Sequence, residues 1–308
     1  MAEMRLTATA PDAGATIDQA AGFGADARKG WRTVLRRFLR HRLAMISVAL
    51  FVTLVLAALV LPLFYPYDFE YTGGRSFEDP TGNHILGTNQ IGADMGAQVL
   101  RGTQFSLMIA LVVSFMATTI GVTTGALAGY LGGPADTLIS RVTDLFLIFP
   151  LLAVAAILIN LVGGSWYLVA FVLGAFSWMQ VTRIIRGETL SLAEREFIEA
   201  ARALGATTSR IVFRHILPNL TGTIVVNATL AVATAVLAEA ALSFLTLGVQ
   251  PPDTSLGLVI NQNYAQFATR PWLFWPAFTV LVLISLSINF IGDGLRDAFD
   301  PRQNKVRA

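Results

Sequence analysis

The sequence contains no cysteine, which excludes disulfides and thiolate metal sites together. Its three histidines, His41, His84 and His215, stand far apart without ligand spacing, so no metal is expected. Charge is scarce too: Asp, Glu, Lys and Arg make up 14% of the 308 residues, against about 25% in an ordinary soluble domain. Also missing are a G-x-x-x-x-G-K-[ST] phosphate loop, a G-x-S-x-G element and a convergent set of histidine and carboxylates. The chain is therefore not expected to bind or hydrolyse ATP itself, to act as a hydrolase or to need a cofactor.

What is present is apolar. Residues of that kind reach 54%, and they collect into uncharged stretches near or above the ~18 residues that mark a membrane-crossing helix. Six spans are expected, at about residues 43–64, 106–130, 136–161, 166–181, 219–247 and 272–291. At 1.5 Å per residue the first measures ~33 Å, enough for a hydrocarbon core of ~30 Å. Residues 65–105 read as a polar connection rich in Gly and Pro. Gly121, Gly125 and Ala128 offer small faces for close packing. Asp136 is placed to cap the third span, Pro150 to kink it, and Arg183 with Arg186 to stop the fourth, whose Trp166, Tyr167 and Trp178 suit interfacial anchors. The fold class is an all-α integral membrane protein with six transmembrane helices.

Arg28, Lys29, Arg32, Arg36, Arg37, Arg40 and Arg42 crowd together just before the first span, with Trp31, Val34, Leu35, Phe38 and Leu39 at helical spacing among them. That is an amphipathic helix suited to the inner membrane surface, preferred over a nucleic-acid site. Residues 1–27 read as a mobile tail and lack the apolar region of a signal peptide. Counting positive charge on alternate sides places both termini and the 182–218 loop in the cytoplasm of a multi-pass cell-membrane protein, with residues near Asp79 and Asp253 outside.

The loop at 182–218 holds the most structured polar sequence. Ser191-Leu-Ala-Glu194 is a capping-box pattern, predicting a helix over 194–204 that Gly205 ends in the left-handed conformation. Phe197, Ala201 and Leu204 share one face of it, and Arg195 and Glu199 stand at pairing distance on another. A second short helix is expected near Thr208 or Ser209, and Pro218 in the first turn of the fifth span. Ala200 and Ala201 with a rim of Glu199 and Arg202 suit insertion into a groove on another protein; an amphipathic connection resting on the bilayer fits the same residues equally well.

Glu199-Ala-Ala, three residues, Gly205, nine residues and then His215-Ile-Leu217-Pro218 resembles the signature loop of permeases of ATP-binding-cassette importers, with His215 where Ile is typical. Arg195–Gly205, Arg214–Asn219, Leu237–Phe244, Gly292–Pro301 and His84–Asp94 are similar to segments of the second permease subunit of the dipeptide and oligopeptide branch, although Ala93 stands where that pattern often has Arg. The resemblance runs from about Trp31 to Arg302. It implies a type I importer permease with an N-terminal part over 28–105, a five-helix core over 106–295 and a tail over 296–308. It further implies ATPase coupling through Glu199, Ala200, Ala201, Gly205, Leu217 and Pro218. The partners implied are a homologous permease, two cytoplasmic ATP-binding subunits and an extracytoplasmic binding protein. The cargo would be peptides, with nickel chelates or another small solute as the alternative. A secondary transporter and a transport-free scaffold are the rival classes.

Glu239 is the acid within the fifth span. It has either a pathway or gating role or a place near the outer interface where water reaches it. Arg141 and Asp144 are spaced to pair. Asn160, Asn227 and Asn289 can line a polar path or bond between helices.

Overall fold

The computed structural model describes residues 31–300; the tail at 1–27, Arg28, Lys29 and residues 301–308 lie outside them. Among the described residues the secondary structure is helical apart from one isolated bridge, Thr88 to Asp94. The helices are α1 (residues 31–40), α2 (Arg42–Val60), α3 (Met95–Leu131), α4 (Gly133–Ile148), α5 (Leu151–Val162), α6 (Trp166–Ala193), α7 (Glu196–Ala203), α8 (Thr208–Ile211), α9 (Leu217–Asn219), α10 (Thr221–Phe244), α11 (Leu256–Asn263) and α12 (Pro271–Phe299).

Among the described residues five elements are long and apolar enough to cross a membrane: α2 with its short extension to Leu63, α3, α6, α10 and α12. The expected third span differs. It is the pair α4 and α5, bent by 83°, and Pro150 breaks it where a kink was expected. Proline has no N–H to donate and pushes the residue before it out of the helical region. Phe149 is accordingly extended at φ −80°, ψ 133°.

Three helices run past the expected ends of their spans: α3, α6 and α12, the last continuing to Phe299. α3 is 37 residues long and starts at Met95, inside the stretch read as a polar loop. Asp94 caps it by accepting from the Ala97 N–H at 2.8 Å. The buried Asp94 also accepts from the Tyr65 hydroxyl at 2.9 Å and meets His84 Nδ1 at 2.8 Å. Burial and then this bond push the Tyr65 phenol above its ordinary pKa. The His84–Asp94 motif thus builds the mount for α3. As a helix α6 continues to Ala193 through Arg183 and Arg186, because arginine favours helix and a charge that closes an apolar span need not end the helix that carries it; both meet acids of α4, Arg183 Nη2 donating to Asp144 Oδ1 at 2.7 Å and Arg186 gripping both oxygens of Asp136. Asp144 therefore pairs with Arg183 and not with Arg141, and Asp136 sits in the first turn of α4 while Gly132 holds the cap position. Trp178 falls in the body of α6, away from its ends.

α3 and α6 are in backbone contact. A Cβ added at Gly121, Gly125 or Gly129 would stand 2.8, 2.6 or 2.7 Å from the carbonyl oxygens of Trp178, Thr182 and Arg186. Lipid tails are as apolar as leucine, so such helices are held by close van der Waals contact and not by water exclusion, and a glycine row allows the closest approach. Ala128 is fully buried beside this row. The rest of the core gathers Met95, Ile109 and Val113 of α3, Leu173 of α6, Val236 of α10, Leu256 of α11 and Leu273 and Ile284 of α12. Ile46, Phe115, Leu161 and Phe171 are exposed, as lipid-facing residues are.

Candidate coupling surface and translocation cavity

α7 is an 8-residue helix. The expected capping box does not form: Ser191 lies inside the last turns of α6, Glu194 follows its end, and α7 begins at Glu196. Its other end is as the sequence foretold. Gly205 has φ +79°, its N–H donates to Arg202 O at 2.9 Å, and the Ala206 N–H reaches Ala201 O at 3.0 Å. These two bonds make a Schellman closure, which requires a left-handed residue at Gly205.

The buried face of α7 is Ile198 and Ala201, which join Val181 and Ile185 of α6 and Ile211, Val212, Ile216 and Leu220 beyond. Of the expected face, Ala201 alone turns inward; Phe197 is 44% and Leu204 88% exposed. Starting the helix two residues later rotates nothing, but the cluster under α7 accepts a shape that the i, i+3 pair Ile198–Ala201 fills. Among the described residues Arg195 and Glu199 form no ion pair, since Arg195 occupies the extended cap position and not the helix face. Arg202 lies over the Tyr130 ring at 5.0 Å with Nε 3.3 Å from its hydroxyl, joining α7 to the end of α3. Glu199, Ala200 and Gly205 are exposed, and Leu217 packs against the same cluster from the far side. Pro218 lies in α9, one short element before the fifth span.

Within the bundle is a cavity of about 400 Å³. Its wall comes from the α4–α5 break (Phe146, Phe149, Leu151), from Ser177 and Gln180 of α6, from Asn227 and Thr234 of α10 and from Asn289 of α12. Among the described residues no charged side chain contributes. Asn227 and Asn289 each donate through Nδ2 to a carbonyl on their own helix, at 2.8 Å. Asn160 lies elsewhere, beside Leu161 and Leu247. Sequence reasoning missed Ser177 and Gln180. Their spacing on an otherwise apolar helix was the signal that could have found them.

Glu239 is outside that wall and fully buried, not near water. Its Oε2 accepts from the Ser106 hydroxyl at 2.9 Å and its Oε1 from the Ser243 hydroxyl at 2.7 Å. Ser106 in turn accepts from the Leu256 N–H, and Ser243 from the Val249 N–H. One carboxyl thereby ties α10 to α3 and to the loop that leads into α11.

Residues 121–305 match the family of binding-protein-dependent transport system inner membrane components, and residues 30–81 match the N-terminal TM domain of oligopeptide transport permease C. The chain is 42% identical over 277 residues to the oligopeptide transport system permease protein OppC of Mycobacterium tuberculosis, an alignment covering 89% of this chain and 95% of the relative. It is 37% identical to the protein of that name from Haemophilus influenzae, covering 90% of each chain. For the Bacillus subtilis one the identity is 33%, over 89% of this chain and 90% of the relative. Among solved structures, the inward-facing MetNI methionine ABC transporter aligns at a TM-score of 0.52 and 22% identity, over 66% of this chain and 96% of that one, a likeness of fold. The chain belongs to the binding-protein-dependent transport system inner membrane components, as a multi-pass permease subunit of an ATP-binding-cassette importer and not an enzyme in its own right.

Proposed function

We propose that this permease forms half of the pathway of a di- and oligopeptide importer. The other half is a homologous permease, two cytoplasmic ATPases seat on the α7 side, and a binding protein delivers cargo from outside. On this reading both termini are cytoplasmic, 106–295 is the transport core and 28–105 its N-terminal addition.

The observation that carries the proposal is α7: a short helix, fixed at one end by a glycine closure, that turns Phe197, Glu199, Ala200 and Leu204 outward. Large exposed apolar side chains on a helix beside an acid are what a groove on a partner receives. Ala201 and Leu217 belong to the cluster beneath it, and the exposed Pro218 lies beside them in α9. The cavity supports the cargo class. Amides and hydroxyls without fixed charge can bond a peptide backbone while leaving side-chain charge unselected.

A route for coupling follows from the packing. Displacement of α7 by nucleotide-driven closure reaches α3 through Arg202 and Tyr130 and reaches α6 through Ile198 and Ala201. α3 and α6 share a glycine seam and shift together, carrying α4 by the Arg186–Asp136 and Arg183–Asp144 pairs. The break at Phe149 and Pro150 lies at the end of that chain and in the cavity wall, so the same displacement reshapes the pathway. ATP biases the two states only by binding one better than the other.

The test is uptake of a labelled tripeptide by the reconstituted complex with its binding protein, with and without ATP. ATP-dependent uptake that excess unlabelled peptide suppresses is expected. Uptake driven by an ion gradient alone, or suppressed by a nickel chelate and not by peptide, overturns the reading.

A further inference from the structure

α1 divides into three faces. At 100° per residue, Val34, Arg37 and Phe38 fall on one side and meet the protein: Arg37 Nη1 donates to the Asp300 carbonyl at 3.4 Å, and the Phe38 ring lies against Gly294 of α12. Trp31, Leu35 and Leu39 form a second row, 55%, 47% and 53% exposed. Arg32, Arg36 and Arg40 form a third, exposed row about 100° further round.

Nothing in the transport reading uses the second and third rows, and their arrangement has a direction. Past the break at His41, exposed apolar residues recur at Leu43 and Ile46, at the start of α2. α2 is long and apolar enough to span a membrane, so its exposed face meets acyl chains, and α1, joined to its start by His41 alone, belongs at the level of the headgroups. There the arginine row, beside the apolar one, finds its matching charge in an anion. A nucleic-acid or acidic-protein partner would call for the cations but not for an exposed apolar row next to a membrane span.

We propose that α1 is a preformed binding surface for anionic phospholipid headgroups in the leaflet on the α7 side, with Arg32, Arg36 and Arg40 holding the phosphates and Trp31, Leu35 and Leu39 seated at the top of the acyl chains. The helix does not need the membrane to fix its place. The Trp31 ring lies tilted against that of Phe299 with centroids 6.1 Å apart, and His41 caps α2 by accepting from the Ala44 N–H at 3.1 Å while its Nε2 stands 3.5 Å from Asp297. Lipid bound to α1 is thus held against the end of α12. The inference is independent of the cargo.

The chain lacks cysteine, so Leu35→Cys gives a single thiol for an environment-sensitive fluorophore on the full-length protein in nanodiscs. Brominated phosphatidylcholine quenches the label if the row sits at the acyl-chain boundary. Raising the phosphatidylglycerol fraction in phosphatidylcholine should shift the signal saturably, and Arg36→Gln should raise the fraction needed for half the shift about fivefold, the equivalent of ~1 kcal/mol per cation near an anionic surface. Arg32→Gln/Arg36→Gln/Arg40→Gln should abolish the shift within the accessible range, and the triple Lys variant should restore it. Inorganic phosphate in neutral nanodiscs should have no effect. An unquenched label, an equal response in the Gln variants, or a shift produced by phosphate or by added ATPase subunits in neutral lipid overturns the proposal.

Discussion

Glu239 and Gly205 show how differently single residues act in this chain. In a dry setting Glu239 accepts from the Ser106 and Ser243 hydroxyls, and its loss leaves those two O–H donors without an acceptor while their oxygens still accept backbone N–H bonds. Each buried donor left unsatisfied costs about 1–3 kcal/mol, discounted in a membrane protein because the unfolded chain also finds partners. Glu239→Ala should therefore lower the stability of the purified chain by about 2 kcal/mol, read as thermal unfolding in detergent, with Glu239→Gln milder. An unchanged melting temperature in the Ala variant would show that the network holds nothing. At Gly205 a Cβ meets nothing within 4 Å, but φ is +79°. The obstacle to a side chain is the backbone conformation alone, roughly 1–2 kcal/mol and worst for a β-branched residue. Gly205→Val should uncouple ATP hydrolysis from uptake without loss of insertion. Gly205→Asn, which tolerates the left-handed region, should keep most of the coupling. Equal damage from Asn and Val would mean that the closure of α7 is not what matters there.

Among the elements, the α3–α6 seam is the sharpest constraint. Gly125→Leu drives a side chain into Thr182 O and Ile185, where even a Cβ stands 2.6 Å from the oxygen, so the helices must separate. The expected result is several kcal/mol of destabilisation, in the range of severe overpacking, with ATP-driven uptake lost. Gly187→Ala, where nothing lies within 4 Å, should be silent in the same melting and uptake measurements. The ion pair between α4 and α6 is tested by reversal: Asp136→Arg or Arg186→Asp alone should reduce uptake, and the double exchange should recover part of it. No recovery would mean the pair does not carry α4 with α6. The helix α6 outlasts its apolar stretch, since a charged residue can end a span without ending the helix.

For the molecule as a whole, orientation rests on charge, because the bundle has no other mark of inside and outside. Single cysteines at Asp79 and Ala203, both exposed, should be distinguished by a membrane-impermeant thiol reagent on intact cells: Asp79→Cys labelled, Ala203→Cys protected until the cells are opened. The reverse pattern would invert the topology and remove α7 from the reach of any cytoplasmic ATPase.

Which parts of this could be read from the chain itself follows from how local each signal is. Span identity is a matter of apolar length against bilayer thickness, so α2 and α10 stand in the sequence nearly as they stand in the fold. Gly205 was legible for the same reason: a helix-ending glycine acts within a turn of itself, as the two bonds around it show. The signature of α7 could be found as a string, but not the face it buries. That choice depends on Ile185, Ile211 and Ile216, which come from other segments and meet only in the fold. The backbone contact at Gly121, Gly125 and Gly129 and the burial of Glu239 beside Ser106 were likewise decided by what lies opposite. A periodic sequence states which residues share a side of a helix, while the partner that side meets, and hence whether a charge is wet, paired or sealed, is fixed only when distant segments pack together.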